Sequence, residues 1–250
     1  MKIKILIVTL SVIAAVSMFS GCVQQTNEAP EASFTYEPME DIYPETEITF
    51  TDASTDDGTI GAWLWTFGDG TNSTEQNPTH SYDAVGTYTV TLVVTDDMDN
   101  MSDPYTMDIT VTLKDIVTTA IDAGFSTLAT ALTAADLVET LQGDGPFTVF
   151  APTDDAFAAL NQTWLTALLD DVTNLTKVLT YHVVSGSVMS TDLTDGEVTT
   201  LEGTNVTIAI DGTNVTVNGV LVTTADIECS NGVIHIIGEV LLPEAVPGPE

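Results

Sequence analysis

Arginine is absent from the 250-residue sequence and lysine occurs four times, against 37 aspartate and glutamate residues, for a net charge of −33. Phosphate backbones are held by such cations, so nucleic acid is excluded as a partner. Histidine occurs three times, scattered singly, and cysteine twice, as Cys22 and Cys229. No two of them share the close spacing of a zinc site. No glycine loop ending in lysine is present to cradle a phosphate. His182 and His235 are the only candidate bases in the second half, and Ser185 lacks the G-x-S-x-G context of a nucleophile. These absences predict a chain that is not an enzyme and carries no cofactor.

Long apolar runs are also missing. The longest, residues 5–19, follows Lys2 and Lys4 and ends in Ser20-Gly21-Cys22. It is shorter than the roughly 20 residues that span a bilayer, and its cationic start and small-residue end read as a signal peptide, residues 1–21. Phe19-Ser20-Gly21-Cys22 resembles a lipobox, with phenylalanine where an aliphatic residue is usual. That resemblance implies lipidation of Cys22, a tether over residues 22–31 and attachment to the outer face of the cell membrane. The exported chain would keep Lys114 and Lys177 against 37 carboxylates, a net charge of −35. With Cys22 acylated, Cys229 has no partner, and it reads as a small buried apolar residue.

Six of the ten asparagines, Asn72, Asn100, Asn161, Asn174, Asn205 and Asn214, stand in Asn-x-Ser/Thr sequons. Chance gives roughly two, so the excess marks candidate glycosylation sites on an exported surface. Together with the arginine-free, acidic composition it favours an archaeal cell envelope.

Residues 32–112 alternate β-type runs with turn clusters, the pattern of an all-β sandwich. In GTYTVTLVVTD, Tyr88, Val90, Leu92 and Val94 share one face, and Thr87, Thr89 and Thr91 the other. Trp63, Trp65 and Phe67 have the same period and precede the turn Gly68-Asp69-Gly70. WTFGDG at 65–70 and NPTHSYDAVGTYTVTLVVTD at 77–96 resemble the PKD (polycystic kidney disease) domain, an immunoglobulin-like sandwich of extracellular proteins. The resemblance implies a spacer or protein-binding unit, with Trp65, Phe67, Gly68, Asp69, Gly70, His80 and Tyr82 structural. Asp52, Asp56 and Asp57, and Asp96, Asp97 and Asp99, form two acidic clusters. Neither has the ligand spacing of an EF-hand, so they read as solvated turns, with calcium as the sharper alternative.

Residues 113–243 begin after a linker too short for free movement. Ile116, Val117, Ala120 and Ile121 recur at helical spacing, then Phe125, Leu128, Leu132, Leu137 and Leu141, with Gly124 placed as a C-cap. FTVFAPTDDAF at 147–157 runs from a strand through Pro152 into a helix. Thr153 is its expected N-cap, and Asp154 and Asp155 fall in the first turn, near the positive end of the helix dipole. WLTALLDDVTNLTKVLTYH reads as one helical stretch. Asp211-Gly212, Asn218-Gly219 and Asn231-Gly232 are dipeptides suited to type I′ hairpins. Helices followed by hairpins make an α+β domain.

FTVFAPTDDAF, LTYHVVSG at 179–186 and NGVIHIIGEVLLP at 231–243 resemble, in order, the motifs of the fasciclin domain, a β-wedge packed against helices. The resemblance gives Phe150, Pro152, Thr153, Asp154, Phe157, Asn231, Gly232 and His235 structural places. It implies adhesion, and it makes Tyr181, His182 and Val183 the candidate interaction residues. Residues 244–250 form a short proline-containing tail. The expected whole is a surface lipoprotein that binds an extracellular or envelope protein or a glycan through residues 113–243. Its alternatives are a surface-layer spacer without a discrete ligand and a carbohydrate-binding accessory module.

Overall fold

The computed structural model describes residues 27–246 and residue 248. The expected signal segment and Cys22 lie outside the described residues. Seven strands build the first domain: β1 (Phe34–Glu37), β2 (Ile48–Asp52), β3 (Ile60–Thr66), β4 (Asn72–Ser73), β5 (Thr79–His80), β6 (Gly86–Asp96) and β7 (Tyr105–Val111). They form two antiparallel sheets, ordered β1-β2-β5 and β4-β3-β6-β7, that close over one core.

The period of two explains that core. Trp65, Phe50, Val90, Leu92, Val94 and Ile109 are fully buried, while Thr87, Thr89 and Thr110 on the alternate positions face solvent. Phe34 meets Trp65 edge-on with ring centroids 5.0 Å apart, and Phe50 lies 5.3 Å from Phe67. Each such side chain contributes about 2–3 kcal/mol by leaving water. The sandwich starts earlier than residue 32, because Glu31 pairs with Thr55 and the Asn27 amide donates to Asp96.

The second domain opens with α1 (Ile116–Asp122), α2 (Ser126–Ala134) and α3 (Val138–Gln142). Gly124, at φ 86°, takes the left-handed position after α1, and the Phe125 N–H closes the turn on Ala120 O. Ile116, Val117 and Ala120 enter the core, but Ile121 turns to solvent. The third helix separates because Asp136 adopts φ 56°, which no helix interior tolerates.

Next come β8 (Phe147–Pro152), α4 (Asp154–Ala158), α5 (Gln162–Asp170), α6 (Val172–Tyr181), β9 (Val183–Ser185), β10 (Gly196–Thr199), β11 (Asn205–Asp211), β12 (Asn214–Val217), β13 (Val220–Cys229) and β14 (Gly232–Ile237). The stretch expected as one helix is two. Asp171 leaves helical geometry at ψ 84° and its side chain accepts the Asn174 N–H, capping α6.

The seven strands run β10-β11-β12-β13-β14-β8-β9, with only β14 and β8 parallel. A bridge between Val184 and Thr200 and a 2.7 Å bond from Leu201 N–H to Val183 O turn the row back on itself. Phe150, Val206, Ile208, Val217 and Ile237 fill the wedge so formed. Val149, Ala151 and Ile234 point the other way, onto Leu128, Leu132 and Leu179 of the helices.

Turn chemistry departs from expectation at two of three hairpins. Asn218 and Gly219, at φ 52° and 81°, form the expected two-residue turn. Asp211 instead pairs with Asn214, so Gly212-Thr213 makes that turn. Cys229 pairs with Gly232, which places Ser230-Asn231 at the third turn. Gly232 is needed for close approach, since a Cβ there would stand 2.0 Å from Phe147 O on the parallel neighbour. The tail expected from residue 244 is partly core, with Val246 buried among the helices.

The junction is braced. The Thr112 N–H donates to Ile42 O at 2.9 Å, and Lys114 Nζ lies 5.2 Å from the Tyr43 ring centroid while pairing with Asp122.

Candidate functional site

The Tyr-His segment lies where α6 ends and β9 begins. His182 is the C-cap of α6, and Leu175, Val178 and Leu179 on the apolar face of that helix draw it inward. The Leu241 N–H donates to His182 Nε2 at 2.9 Å, so Nδ1 carries the proton and donates to Val178 O at 2.7 Å. Burial lowers the imidazole pKa to about 4, outweighing the Val178 contact that acts the other way. Both ring nitrogens are used. The Tyr181 hydroxyl donates to Asn205 O at 3.0 Å and accepts from Asn218 Nδ2 at 2.8 Å.

Tyr181, His182 and Val183, expected at an interaction surface, are thus interior side chains, 6, 3 and 3% exposed. The physical reason is the strand they introduce, which runs directly into the wedge beside β8. What is open at this end is the rim that Tyr181 braces. Thr204, Asn205, Glu244 and Ala245 are exposed there and enclose, with the tyrosine, a concavity of about 570 Å³.

His235 is fully buried and lies against Phe150, with ring centroids 5.7 Å apart. Its Nδ1 accepts the Asp226 N–H at 3.2 Å, leaving Nε2–H to donate to Val188 O at 2.9 Å. The Asp226 carboxylate takes both the N–H and the hydroxyl of Ser190. Serine, aspartate and histidine are therefore neighbours without forming a relay. The serine bonds to the carboxylate rather than the imidazole, and the imidazole has no nitrogen left to act as a base. The cluster fastens residues 188–190 across the wedge.

The strand-to-helix motif is also structural. Thr153 caps α4 by accepting the Ala156 N–H at 3.1 Å. Asp154 does more than face its own helix dipole. Its carboxylate accepts the Ser126 hydroxyl and the Thr127 N–H, at 2.5 and 2.9 Å, and so caps α2, whose own N-cap position holds Phe125. Those bonds hold the Asp154 pKa below its ordinary value. Phe157 packs into the helical core. Asn231 is a bolt: Oδ1 accepts the Ile116 N–H, and Nδ2 donates to Leu141 O and Gly143 O.

In the sandwich, His80 Nε2 meets Asp69 Oδ2 at 2.8 Å while its ring stacks on Phe67 at 4.1 Å. The Tyr82 hydroxyl donates to Phe67 O at 2.9 Å, and Trp65 Nε1 donates to Glu75 O. Gly68, at φ 82°, lies so close to the Thr89 backbone that a Cβ would come within 2.8 Å. Asp69 opens the turn by accepting the Thr71 N–H.

The acidic clusters are not simply solvated turns. Asp52 accepts from Trp63 Nε1, Gln76 and the Ser54 N–H; burial pushes its pKa up, but these bonds prevail and lower it. Asp96 is buried and accepts from Asn27, Met98 N–H and both nitrogens of Asn100, which again outweigh desolvation. Asp57 and Asp99 stay exposed. Oxygens of Asp56, Asn27 and Asp97 converge 3.2–3.6 Å from the place a Cβ of Gly58 would take, and Asp56 Oδ1 is enclosed without a donor. Three oxygens fall short of the roughly six to eight a calcium ion takes. Among the described residues no group of three or more His, Cys, Asp and Glu side chains is placed to hold a metal.

Comparison with known proteins agrees with this geometry. Residues 27–111 match the PKD domain and residues 123–243 the fasciclin domain. Protein sll1735 of Synechocystis is 49% identical over 123 residues, which are 48% of this chain and 91% of that protein. Human periostin is 38% identical over 122 residues, 48% of this chain and 15% of periostin. Among solved structures, the PKD1 domain of the Vibrio cholerae metalloprotease PrtV is 39% identical and aligns with 34% of this chain and 98% of that domain, at a TM-score of 0.30. The chain belongs to the fasciclin-domain family and carries a PKD domain ahead of its fasciclin domain. Both families are generally non-enzymatic adhesion or structural domains, typical of extracellular proteins. Helix α1 is part of the fasciclin domain although the family match begins at residue 123, because Ile116, Val117 and Ala120 share its core. No helix among the described residues is long and apolar enough to cross a membrane.

Sequence reasoning missed Asp226, Ser190 and the cross-capping role of Asp154. ADIEC alternates regularly in sequence, so nothing local marked Asp226; it meets His235 and Ser190 only because the register shifts between Thr224 and Ile227 and Asp226 adopts φ 63°.

Proposed function

We propose that this chain is a non-catalytic adhesion protein of the cell surface, anchored through a lipid on Cys22, in which the PKD sandwich holds the fasciclin domain away from the membrane. The fasciclin domain binds an envelope or extracellular protein or glycan at the concave rim of Thr204, Asn205, Glu244 and Ala245. An archaeal envelope is the setting its composition favours. The observation that carries the reading is the Tyr181 hydroxyl, which turns a buried motif into a brace for an exposed, mixed-polarity concavity. Binding sites combine such concavity with a few fixed polar groups. The test is an equilibrium isotherm of the labelled exported chain on native envelope. Saturable binding that unlabelled chain displaces is expected; association that rises linearly and resists competition would instead make the chain a spacer.

A further inference from the structure

Glycan transfer requires two chemical groups of a sequon: the asparagine amide nitrogen, which bonds to the sugar, and the hydroxyl two residues on. The fold separates the six sequons by whether these groups are free and the side chain and backbone that carry them are unconstrained. Asn100 gives its amide to buried Asp96, and Ser102 Oγ accepts the Val94 N–H. Asn161 is held through its amide oxygen, which caps α5 by accepting from Thr163 and Trp164 N–H and so fixes the side chain with Thr163 inside the first helical turn. Asn174 Nδ2 donates to Asp171, and Asn205 bonds to both Glu197 and Thr199. Asn214 is exposed, but β12 is paired on both sides, Val215 is buried and the Thr216 hydroxyl donates to Ala209 O.

Asn72-Ser73-Thr74 differs. Asn72 and Thr74 are both exposed, and neither side chain has a hydrogen-bond partner among the described residues. The segment lies in β4, which pairs with β3 alone and so leaves its outer edge open. Its pairing with β3 covers two residues, Asn72 with Thr66 and Ser73 with Trp65, so the sequon can be lifted into a transferase without opening a core.

We propose that Asn72 is the N-glycan acceptor of the folded protein. The amide nitrogen displaces the phosphate of a lipid-pyrophosphate-linked oligosaccharide. The Nδ2–C1 bond forms, the C1–O bond to phosphate breaks, the lipid pyrophosphate leaves with the bonding pair, and the amide proton passes to a base of the transferase. The attached glycan then covers the open edge of β4, where unpaired backbone groups otherwise invite strand addition from another chain. Exposure to such a transferase rests on the export proposed above, but acceptor choice does not.

The test uses the folded full chain, a purified single-subunit oligosaccharyl transferase and a lipid-pyrophosphate-linked heptasaccharide, with site-resolved mass spectrometry. Occupancy at Asn72 is expected to exceed that at each other sequon at least tenfold, and Asn72→Gln to remove it. Urea-unfolded chain should accept at several sequons, showing that the fold makes the selection. Equal or greater occupancy at another sequon of the folded chain would overturn the proposal, as would an unmodified Asn72 in the folded form.

Discussion

His182 shows how one side chain converts burial into pH dependence. Folding lowers its pKa from 6.5 to about 4, so between those values the unfolded chain binds the proton and the folded chain resists it. The stabilisation is complete above pH 6.5 and is lost as pH falls towards 4. That lowering corresponds to roughly 3 kcal/mol, at about 1.4 kcal/mol for each tenfold change in proton affinity. Urea titrations at pH 7 and pH 4.5 should show this loss. His182→Leu should flatten the slope between them while costing about 1–3 kcal/mol at pH 7, because the Leu241 N–H and Val178 O lose their partner. The carboxylates lowered by hydrogen bonds, such as Asp154 and Asp226, act only at the acid end, where they begin to protonate in the unfolded chain. The motif histidine was visible in the sequence; its bond from Leu241 was not, because that residue lies 59 residues away.

At the scale of elements, local signals were read well where one segment decided the outcome. Thr153 as a cap, Gly124 after α1 and Asn218-Gly219 as a turn all follow from backbone preferences of single residues. Elements settled by distant partners escaped such reading. Asp154 was assigned to its own helix, yet its bonds run to α2, 27 and 28 residues away. Asp154→Ala should therefore cost about 1 kcal/mol, the usual worth of a cap, and the loss should appear in amide exchange of α2 more than of α4. Protection lost from α4 alone would contradict that assignment. The shifted hairpin at Asn231-Gly232 has a similar origin, since Gly232 is claimed by its parallel neighbour Phe147 rather than by a turn.

The whole molecule combines high charge with two well-filled cores. A net charge of −33 repels itself, and salt screens that repulsion over about 10 Å at 0.1 M. Raising sodium chloride from 10 mM to 500 mM should therefore raise the unfolding midpoint by several degrees, which calorimetry measures directly. The domain order was legible because both motif sets sit at strands, turns and helix ends with fixed chemistry. The proposed interaction face was not, because the Tyr-His motif is interior and the rim comes from residues 204–205 and 244–245, far apart in sequence. The most direct test of the account is the effect of Glu244→Lys on the envelope isotherm. A loss of tenfold or more in affinity with an unchanged unfolding midpoint is expected; an isotherm identical to that of the unsubstituted chain would contradict the placement of binding at this rim.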